Sequence, residues 1–239
     1  MEEKLLTIGQ AAEYLGITLT TLRRWDEAGK LVAIRKEGGT HRYYRERDLE
    51  LFASDIKKIA HDWVQDHAEI LERYYCPNSS VFLSRLTSFE ALLMKKPGFE
   101  KLFSLIVSVV GEIGNNSFDH NIGKWPDEPG GFFAYDIAKG VVVLADRVIG
   151  VRQSLRQVRP GLASDVDAVE VAFTEIISGR APEKRGNGLK YVRQVVMDHP
   201  FDLFFTSGDA ELRLEQPEKK LRITRSSILT RGCYVTLQF

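Results

Sequence analysis

Cysteine is scarce in this sequence, and the scarcity excludes several classes of protein. The 239 residues include two cysteines, Cys76 and Cys233, which lie far apart in the chain. Their separation does not fit the close ligand pairs of a zinc site, and two cysteines are too few for a disulfide-stapled secreted scaffold. We therefore expect two unpaired thiols in a reduced, cytoplasmic protein.

An excess of charge of one sign and long apolar runs are also lacking. Lysine and arginine together number 33, as do aspartate and glutamate, so the formal net charge is zero. Nothing in the whole-chain charge indicates nucleic acid, although a local basic patch is not excluded. No apolar run approaches the roughly 20 residues of a membrane-spanning helix. The first residues, MEEKLL, do not have the pattern of a secretion signal, and we expect no contact with a membrane.

The residues that are present begin with two short helices and a hairpin. TIGQAAEYLG (7–16) has apolar residues at the spacing of one helix face and ends in glycine. Thr18 or Thr20 is expected to cap a second helix. Residues 31–44 then predict two short strands around a Gly-Gly turn. This order of elements is typical of a winged helix-turn-helix unit.

Basic residues concentrate in the same segment. Between residues 20 and 47, eight basic residues outnumber four acidic ones in a chain that is neutral overall. Arg23 and Arg24 lie early in the second helix, where a recognition helix presents side chains to the major groove. Basic hairpin residues are well placed for phosphates. The alternative is a small helical cap whose charges are merely solvated.

The residue order resembles the MerR-type and excisionase-type DNA-binding domains from about Leu5 to Phe52. The segment contains T-x-x-x-A-A-x-x-L-G, then T-L-R-R-W-D-x-x-G-K-L, then G-G-x-H-R-Y-Y. The resemblance implies binding to double-stranded DNA as a homodimer on paired half-sites. The groove contacts that it implies come from Thr20, Thr21, Arg23 and Arg24, and the wing contacts from Arg35, His41, Arg42 and Tyr43.

A helical connector is expected at residues 53–96, between a DNA-binding domain at 1–52 and a second domain at 97–239. Apolar periodicity predicts one connector helix from about Arg47 to Tyr75. That helix is a candidate dimer surface, and simple packing within the chain is an equally good interpretation.

The second domain contains a helix that changes character along its length. KLFSLIVSVVGEIGNNSFDHN (101–121) is apolar in its first half and polar in its second. Glu112 and Asn116 lie four residues apart and therefore share a helix face. Buried polar groups need partners, so these two side chains either satisfy neighbouring backbone groups or form part of a site.

Two later segments carry further polar signals. LADRVIGV (144–151) ends an apolar strand with an acid, and the strand belongs to a hairpin predicted at 132–151. KRGNGLKYVRQVV (184–196) is a Gly-rich turn that leads into a helix, and free backbone N–H groups there suit phosphate oxygens. A plain loop explains such a turn equally well. The C-terminal residues predict three antiparallel strands.

These three stretches, in this order, resemble the GHKL (Bergerat-fold) ATPases, which include histidine kinases and anti-sigma serine kinases. EIGNNSFDHN resembles their N-box, ADRVIGV their D-x-G-x-G motif with Val148 at the first glycine, and RGNGLK their second glycine box. The resemblance implies ATP and Mg²⁺, with Glu112 as general base, Asn116 as Mg²⁺ ligand and His120 at phosphate. It implies that Asp146 and Gly150 lie at the adenine, and that Gly186, Asn187, Gly188 and Leu189 lie at the phosphates.

Together the two resemblances imply an α+β protein. It would have a winged helix-turn-helix, a helical connector and a C-terminal α/β sandwich of the GHKL ATPase type. The function expected first is an ATP-responsive DNA-binding transcriptional regulator. The alternatives are an anti-sigma-type serine/threonine kinase or ATPase that acts on a protein partner, and a degenerate ATPase fold used only for protein docking.

Overall fold

The N-terminal segment folds into a helix pair and a small sheet. The computed structural model describes residues 4–35, 39–66, 70–119, 129–176, 187–218 and 220–239. The first elements are β1 (Leu5–Thr7), α1 (Ile8–Leu15), α2 (Leu19–Glu27), β2 (Ile34–Arg35), β3 (Arg42–Arg45) and α3 (Glu46–Ser54). The strands pair antiparallel in the order β1-β3-β2, so the predicted hairpin of β2 and β3 is confirmed.

Local capping explains where the first two helices begin and end. Thr7 precedes α1 and forms a capping box with Gln10, in which each side chain accepts a hydrogen bond from the other residue's backbone N–H. Gly16 ends α1 with a φ of 67°, a left-handed conformation that glycine adopts at little cost. Thr18 starts α2 by accepting a hydrogen bond from the backbone N–H of Thr21. The short turn between the caps therefore brings α2 against α1.

The prediction of one connector helix from about Arg47 to Tyr75 is wrong. The chain forms α3, then a separate helix, α4 (Ile56–Asp66), and later a 3₁₀ turn (Glu72–Tyr74). Asp55 lies between α3 and α4 with a ψ of 65°, outside the helical range. Its carboxylate accepts a hydrogen bond from the backbone N–H of Lys58 at 3.2 Å and so caps α4. Apolar spacing alone does not reveal such a break.

The remaining elements form a second sheet with helices around it. They are β4 (Tyr75–Cys76), α5 (Ser79–Met94), α6 (Phe103–Asp119), β5 (Gly131–Asp136), β6 (Val141–Asp146), α7 (Gly150–Leu155), α8 (Asp165–Thr174), α9 (Gly188–Asp198), β7 (Asp202–Leu214) and β8 (Arg222–Gln238). Within the described residues the five strands pair antiparallel in the order β4-β5-β6-β8-β7.

One of the two C-terminal strand predictions is confirmed and the other is corrected. The hairpin predicted at 132–151 is confirmed up to Asp146, because β5 and β6 pair on either side of Gly140, whose φ is 64°, and its last residues instead begin α7. The segments KLRITRSSIL and CYVTLQF, predicted as separate strands, both belong to β8. Gly232 lies within β8 with a φ of 72°, and the pairing with β7 changes register around Gly208. These irregularities bend one continuous strand where the sequence suggested a break.

Helices cover both faces of the larger sheet. α5, α6, α8 and α9 form the core on one face, where buried sheet residues include Phe133, Leu144, Leu203 and Val235. α4 packs against the other face, where the ring of Trp63 lies 6.4 Å from that of Phe132. The fold is therefore mixed, with a layer of helices on each side of the sheet. Among the described residues, no helix is both long and apolar enough to span a membrane.

A continuous apolar cluster joins the N-terminal helices to this sheet through α4. Its buried members include Leu22 from α2, Ile59 and Trp63 from α4, and Ala134 and Val143 from the sheet. The apolar side of α4 is thus buried within the chain. Simple packing within the chain, one of the two interpretations of the connector, therefore accounts for the apolar side of α4, and a dimer through the connector stays a prediction.

Candidate functional site

The second helix of the N-terminal unit has one buried side and one exposed side. Leu22 is 0% exposed and Trp25 is 6% exposed, so both anchor α2 in the core. Thr20, Arg23 and Arg24 are exposed on the helix. The structure therefore brings three of the four predicted groove residues to one accessible surface.

Thr21 does not belong to that surface. It is 1% exposed, and its hydroxyl lies 2.8 Å from the hydroxyl of Thr18 in the helix cap. A side chain enclosed in this way stabilises the start of α2 and does not reach a base edge. The prediction of Thr21 as a groove contact is therefore wrong.

The predicted wing residues lie on and around β2 and β3. Arg35 and His41 are exposed, and Arg42 and Tyr43 are half-buried. Tyr43 pairs across the hairpin with Ile34, which places it in the middle of the wing sheet. All four residues lie on one hairpin next to α2, and their roles in DNA binding remain predictions.

A buried carboxylate joins the wing to α2, and sequence reasoning missed it. The side chain of Asp26 is 2% exposed. Its Oδ2 accepts hydrogen bonds from Arg35 Nη2 at 2.6 Å and from Arg42 Nε at 2.7 Å. Its Oδ1 accepts one from the backbone N–H of Ala33 at 2.8 Å. The available signal was an acid directly after the buried Trp25, on the inner side of α2 in a basic segment.

The ionisation of Asp26 reflects these partners. Burial raises the pKa of the carboxyl, but the Ala33 amide and the guanidinium groups of Arg42 and Arg35 lower it by more. The net pKa is below the ordinary value. Asp26 is therefore an ionised acid that holds two arginines at neutral pH.

A lysine fixes the same unit to α4. Lys30 Nζ lies 3.1 Å from a carboxylate oxygen of Asp62 on α4. The same ammonium group lies 5.2 Å from the centre of the Trp25 ring and 6.0 Å from that of Phe52. Cation–π contacts of this kind add to the ion pair. The N-terminal unit is therefore attached to the rest of the chain by polar contacts as well as by its core.

In the C-terminal half, α6 and the start of α9 bring several predicted site residues together. Glu112 is exposed and Asn116 is half-buried on α6. A methyl group built on Gly188 would lie 2.6 Å from Oε2 of Glu112 and 3.9 Å from Nδ2 of Asn116. Gly188, the first residue of α9, therefore lies beside the two α6 side chains. Asn187 precedes α9 without a side-chain cap, and the first backbone N–H groups of a helix have no partner within the helix. Leu189, half-buried, packs against the main core.

Asp146, the predicted adenine contact, lies at the end of β6 and is 4% exposed. Its Oδ2 accepts a hydrogen bond from Ser117 Oγ at 2.8 Å. Its Oδ1 accepts bonds from the backbone N–H groups of Val148 and Cys233, each at 3.2 Å. Burial raises the pKa of Asp146 to about 6, although these three donors favour the ionised form.

Two glycines, Gly232 and Gly150, allow the backbone to pack closely around Asp146. A methyl group built on Gly232 would collide with the backbone oxygen of Asp146 and lie 2.7 Å from the nitrogen of Val148. Gly150 begins α7 with a φ of 73°, and the backbone N–H of Val151 donates to Ser207 Oγ at 3.0 Å. His120 and Gly186, the other predicted phosphate residues, lie outside the described residues.

The residues present fit one end of the predicted ATP–Mg²⁺ site. Carboxylate and amide oxygens such as those of Glu112 and Asn116 are ligands that Mg²⁺ accepts, and the start of α9 offers N–H groups to phosphate oxygens. The other end fits less well, because both oxygens of Asp146 already accept hydrogen bonds and Val148 is 3% exposed. The three donors use three of the roughly four acceptor sites of the carboxylate, so at most one site on Oδ2 remains for an adenine amino group.

Comparisons with known proteins concern the N-terminal segment. Residues 5–55 match the helix-turn-helix domain family. Over 75 residues the chain is 38% identical to the type II methyltransferase M.Eco47II of Escherichia coli, a stretch that covers 31% of this chain and 18% of that protein. Over 59 residues it is 43% identical to the transcriptional repressor DcmR of Methylorubrum extorquens, covering 25% of this chain and 22% of that protein.

The match is local on both sides, because the chain spans less than a quarter of the length of either relative. The matched segment coincides with the helix pair, the wing and α3. Residues 5–55 are therefore a helix-turn-helix domain, in a winged form that fits DNA binding.

Proposed function

We propose that this protein is a DNA-binding transcriptional regulator whose binding to DNA responds to ATP. The observation that carries the proposal is the exposed basic side of α2 beside an arginine-bearing wing, within a segment that matches the helix-turn-helix domain family. One of the two relatives is named as a transcriptional repressor. Arg23 and Arg24 would enter the major groove, and the wing arginines would bind phosphates.

The ATP-responsive part of the proposal rests on the C-terminal half. Glu112, Asn116 and the start of α9 form a polar corner that suits Mg²⁺ and phosphate oxygens. The GHKL resemblance implies that Asn116 binds Mg²⁺, that Gly188 lies at the phosphates and that Glu112 is the general base. The buried apolar cluster shared by α2, α4 and the sheet gives a ligand-induced change a route to the DNA-binding unit.

Paired half-sites would require two copies of the chain. A single wing and recognition helix reads one half-site, and helix-turn-helix proteins commonly bind two half-sites as symmetric dimers. We therefore propose a homodimer on DNA, formed through a surface other than the buried side of α4.

Two titrations test the two halves of the proposal separately. The first measures the affinity of the full chain for a mixed-sequence DNA duplex, beside a variant with Arg23→Ala and Arg24→Ala. The second measures the affinity for ATP and ADP with Mg²⁺, beside Asn116→Ala. We expect micromolar nucleotide binding that the Asn116 variant loses. An absence of binding up to millimolar ATP would remove ATP from the proposal and leave the DNA-binding function standing.

One observation favours a second candidate function for the C-terminal half. The oxygens of Asp146 are engaged by Ser117, Val148 and Cys233, and the Val148 side chain is buried beside them. A base pocket closed in this way suits a degenerate ATPase fold that serves as a protein-docking surface. The nucleotide titration separates this function from the ATP-responsive one.

A further inference from the structure

The carboxylate of Asp26 is the one buried acid described in the N-terminal unit, and both of its arginine partners belong to the predicted DNA-binding wing. We propose that Asp26 is a positioning residue for DNA binding, which holds the wing on α2 so that Arg35 and Arg42 meet the phosphate backbone. The proposal rests on the DNA-binding function proposed above. DNA repels a carboxylate, yet this carboxylate would favour DNA binding.

The contacts of Asp26 reach both strands of the wing. Ala33 leads into β2 and Arg35 lies on it, while Arg42 begins β3. β3 is also held by β1, but β2 is an edge strand that pairs with β3 over only the two registered pairs Ile34–Tyr43 and Arg35–Arg42. A short hairpin with few ladder bonds is marginal by itself. Asp26 therefore joins both strands to the helix that carries Arg23 and Arg24.

Both arginine side chains are partly exposed. The side chain of Arg35 is 46% exposed and that of Arg42 is 25% exposed. Each gives Asp26 a hydrogen bond from one nitrogen, and a guanidinium carries five N–H donors. Asp26 can therefore hold one edge of each group while another edge bonds to a phosphate.

Positioning and simple electrostatics predict opposite results when the acid is neutralised. Asp26→Asn removes one negative charge from the DNA-facing unit, and electrostatics alone would strengthen binding to a polyanion. Loss of positioning would weaken binding, because the arginines would lose their fixed arrangement. The sign of the change in affinity therefore distinguishes the two explanations.

The experiment compares Asp26→Asn with Glu27→Gln in the full chain, on a mixed-sequence duplex several helical turns long. Asparagine keeps an acceptor for the Ala33 amide and loses the ion pairs. Glu27, the adjacent acid, is 66% exposed and lies 3.4 Å from Arg42, so its variant removes the same charge without the buried contacts. We expect affinity about tenfold weaker for Asp26→Asn and unchanged or slightly stronger for Glu27→Gln. Wild-type or tighter binding by a folded Asp26→Asn protein would overturn the proposal.

A double-variant comparison shows whether Asp26 acts through its partner. Arg35→Gln alone should weaken binding, and Asp26→Asn added to it should cost less than it does in the wild type. Fully additive losses would indicate a merely structural role for Asp26 and contradict the proposal. If Asp26→Asn does not fold, Asp26→Glu keeps the charge and displaces the carboxylate, and a few-fold weaker affinity is expected. Wild-type affinity in that variant would contradict the proposal as well.

A failure of this inference can be told from a failure of the proposed function. If the wild-type chain binds no duplex, or if Arg23→Ala with Arg24→Ala changes nothing, the DNA-binding function is contradicted. If those controls behave as expected and Asp26→Asn binds as tightly as wild type, the positioning role alone is contradicted.

Discussion

Each half of the molecule buries an aspartate, and the pKa of the carboxyl is shifted in opposite directions in the two halves. Asp26, in the helix-turn-helix unit, accepts hydrogen bonds from two arginines, and its pKa lies below the ordinary value. Asp146, at the end of β6, accepts hydrogen bonds from a serine and two backbone N–H groups, and its pKa is raised to about 6. Burial opposes ionisation in both places, and only in the first do the partners, the Ala33 amide with Arg42 and Arg35, outweigh it.

The difference follows from where each acid lies. Asp26 lies beneath an exposed basic surface, so its partners extend from the interior to solvent. Asp146 lies between α6 and β8, at the end of a strand buried along its whole length, and its hydrogen-bond partners among the described residues include no arginine or lysine. The first arrangement suits the proposed binding of a polyanion. The second would form the inner wall of the proposed nucleotide site.

The largest expected effect concerns the exposed helix face. Arg23→Ala with Arg24→Ala should weaken binding to duplex DNA by about 100-fold, because each arginine at a groove is worth roughly 1–3 kcal/mol. Fluorescence anisotropy with a labelled duplex measures this loss. Arg159→Ala with Arg213→Ala removes the same charge from the C-terminal half and serves as the control. An equal loss in both double variants would show that total charge, and not α2, determines binding.

Glycine replacements test the tighter packing around Asp146. Gly232→Ala adds a methyl group against the backbone of Asp146 at a φ of 72°, so strain and collision combine. We expect it to lower the free energy of unfolding by about 3 kcal/mol in urea titration. Gly29, in the helix-turn-helix unit, has a φ of 69° but no atom within reach of an added methyl group. Gly29→Ala should therefore lower the free energy of unfolding by only about 1 kcal/mol.

Gly161 has no atom within reach of an added methyl group and no left-handed backbone conformation. Gly161→Ala should therefore leave the free energy of unfolding nearly unchanged. This replacement is the control for the other two. A cost for Gly161→Ala that equals the cost for Gly232→Ala would contradict the packing described around Asp146.

The pH dependence of stability should differ between the two acids. The pKa of Asp146 rises from 3.8 to about 6 on folding, so the folded state binds its proton more tightly. Protonated Asp146 therefore stabilises the folded state most below about pH 4. This stabilisation, about 3 kcal/mol in the free energy of unfolding, is lost as pH rises through about 6. In Asp146→Asn, which keeps acceptors and a donor for the same partners, that slope should disappear. A wild-type slope in the variant would show that another group causes it.

The pH dependence of stability due to Asp26 should be smaller than that due to Asp146 and opposite in sign. Its folded pKa is lowered, so its contribution is present above the ordinary pKa of 3.8 and is lost as pH falls through the lower folded value. Urea titrations at acidic pH should show wild type losing stability below about pH 4 more steeply than Asp26→Asn. Parallel acid profiles would indicate that the ion pairs with Arg35 and Arg42 contribute nothing to stability.

The sequence predicted the elements that depend on neighbouring residues. Thr7, Gly16 and Thr18 fix the ends of α1 and α2 through local caps, and Gly140 fixes the hairpin of β5 and β6. Such signals act over a few residues and can therefore be read from the order of amino acids. The helix-turn-helix unit and the hairpin were predicted for this reason.

Features that depend on distant parts of the chain were not predicted. Asp55 ends α3 by capping α4, and β8 continues through Gly232 because β7 pairs with both of its halves. Asp26 reads as one more surface charge until Arg42 is brought beside it by the fold. The enclosure of Thr21 likewise depends on how α2 packs. Each of these misses reflects a tertiary contact that apolar periodicity does not contain.

The affinity of the full chain for duplex DNA, measured with and without saturating Mg²⁺-ATP, tests the central claim most directly. We predict that wild type binds DNA in both conditions and that ATP changes the dissociation constant by at least about fivefold. We also predict that Asn116→Ala binds DNA without this response. A dissociation constant that ATP does not change, in protein that binds DNA normally, would contradict the claim that the C-terminal half regulates the helix-turn-helix unit through ATP.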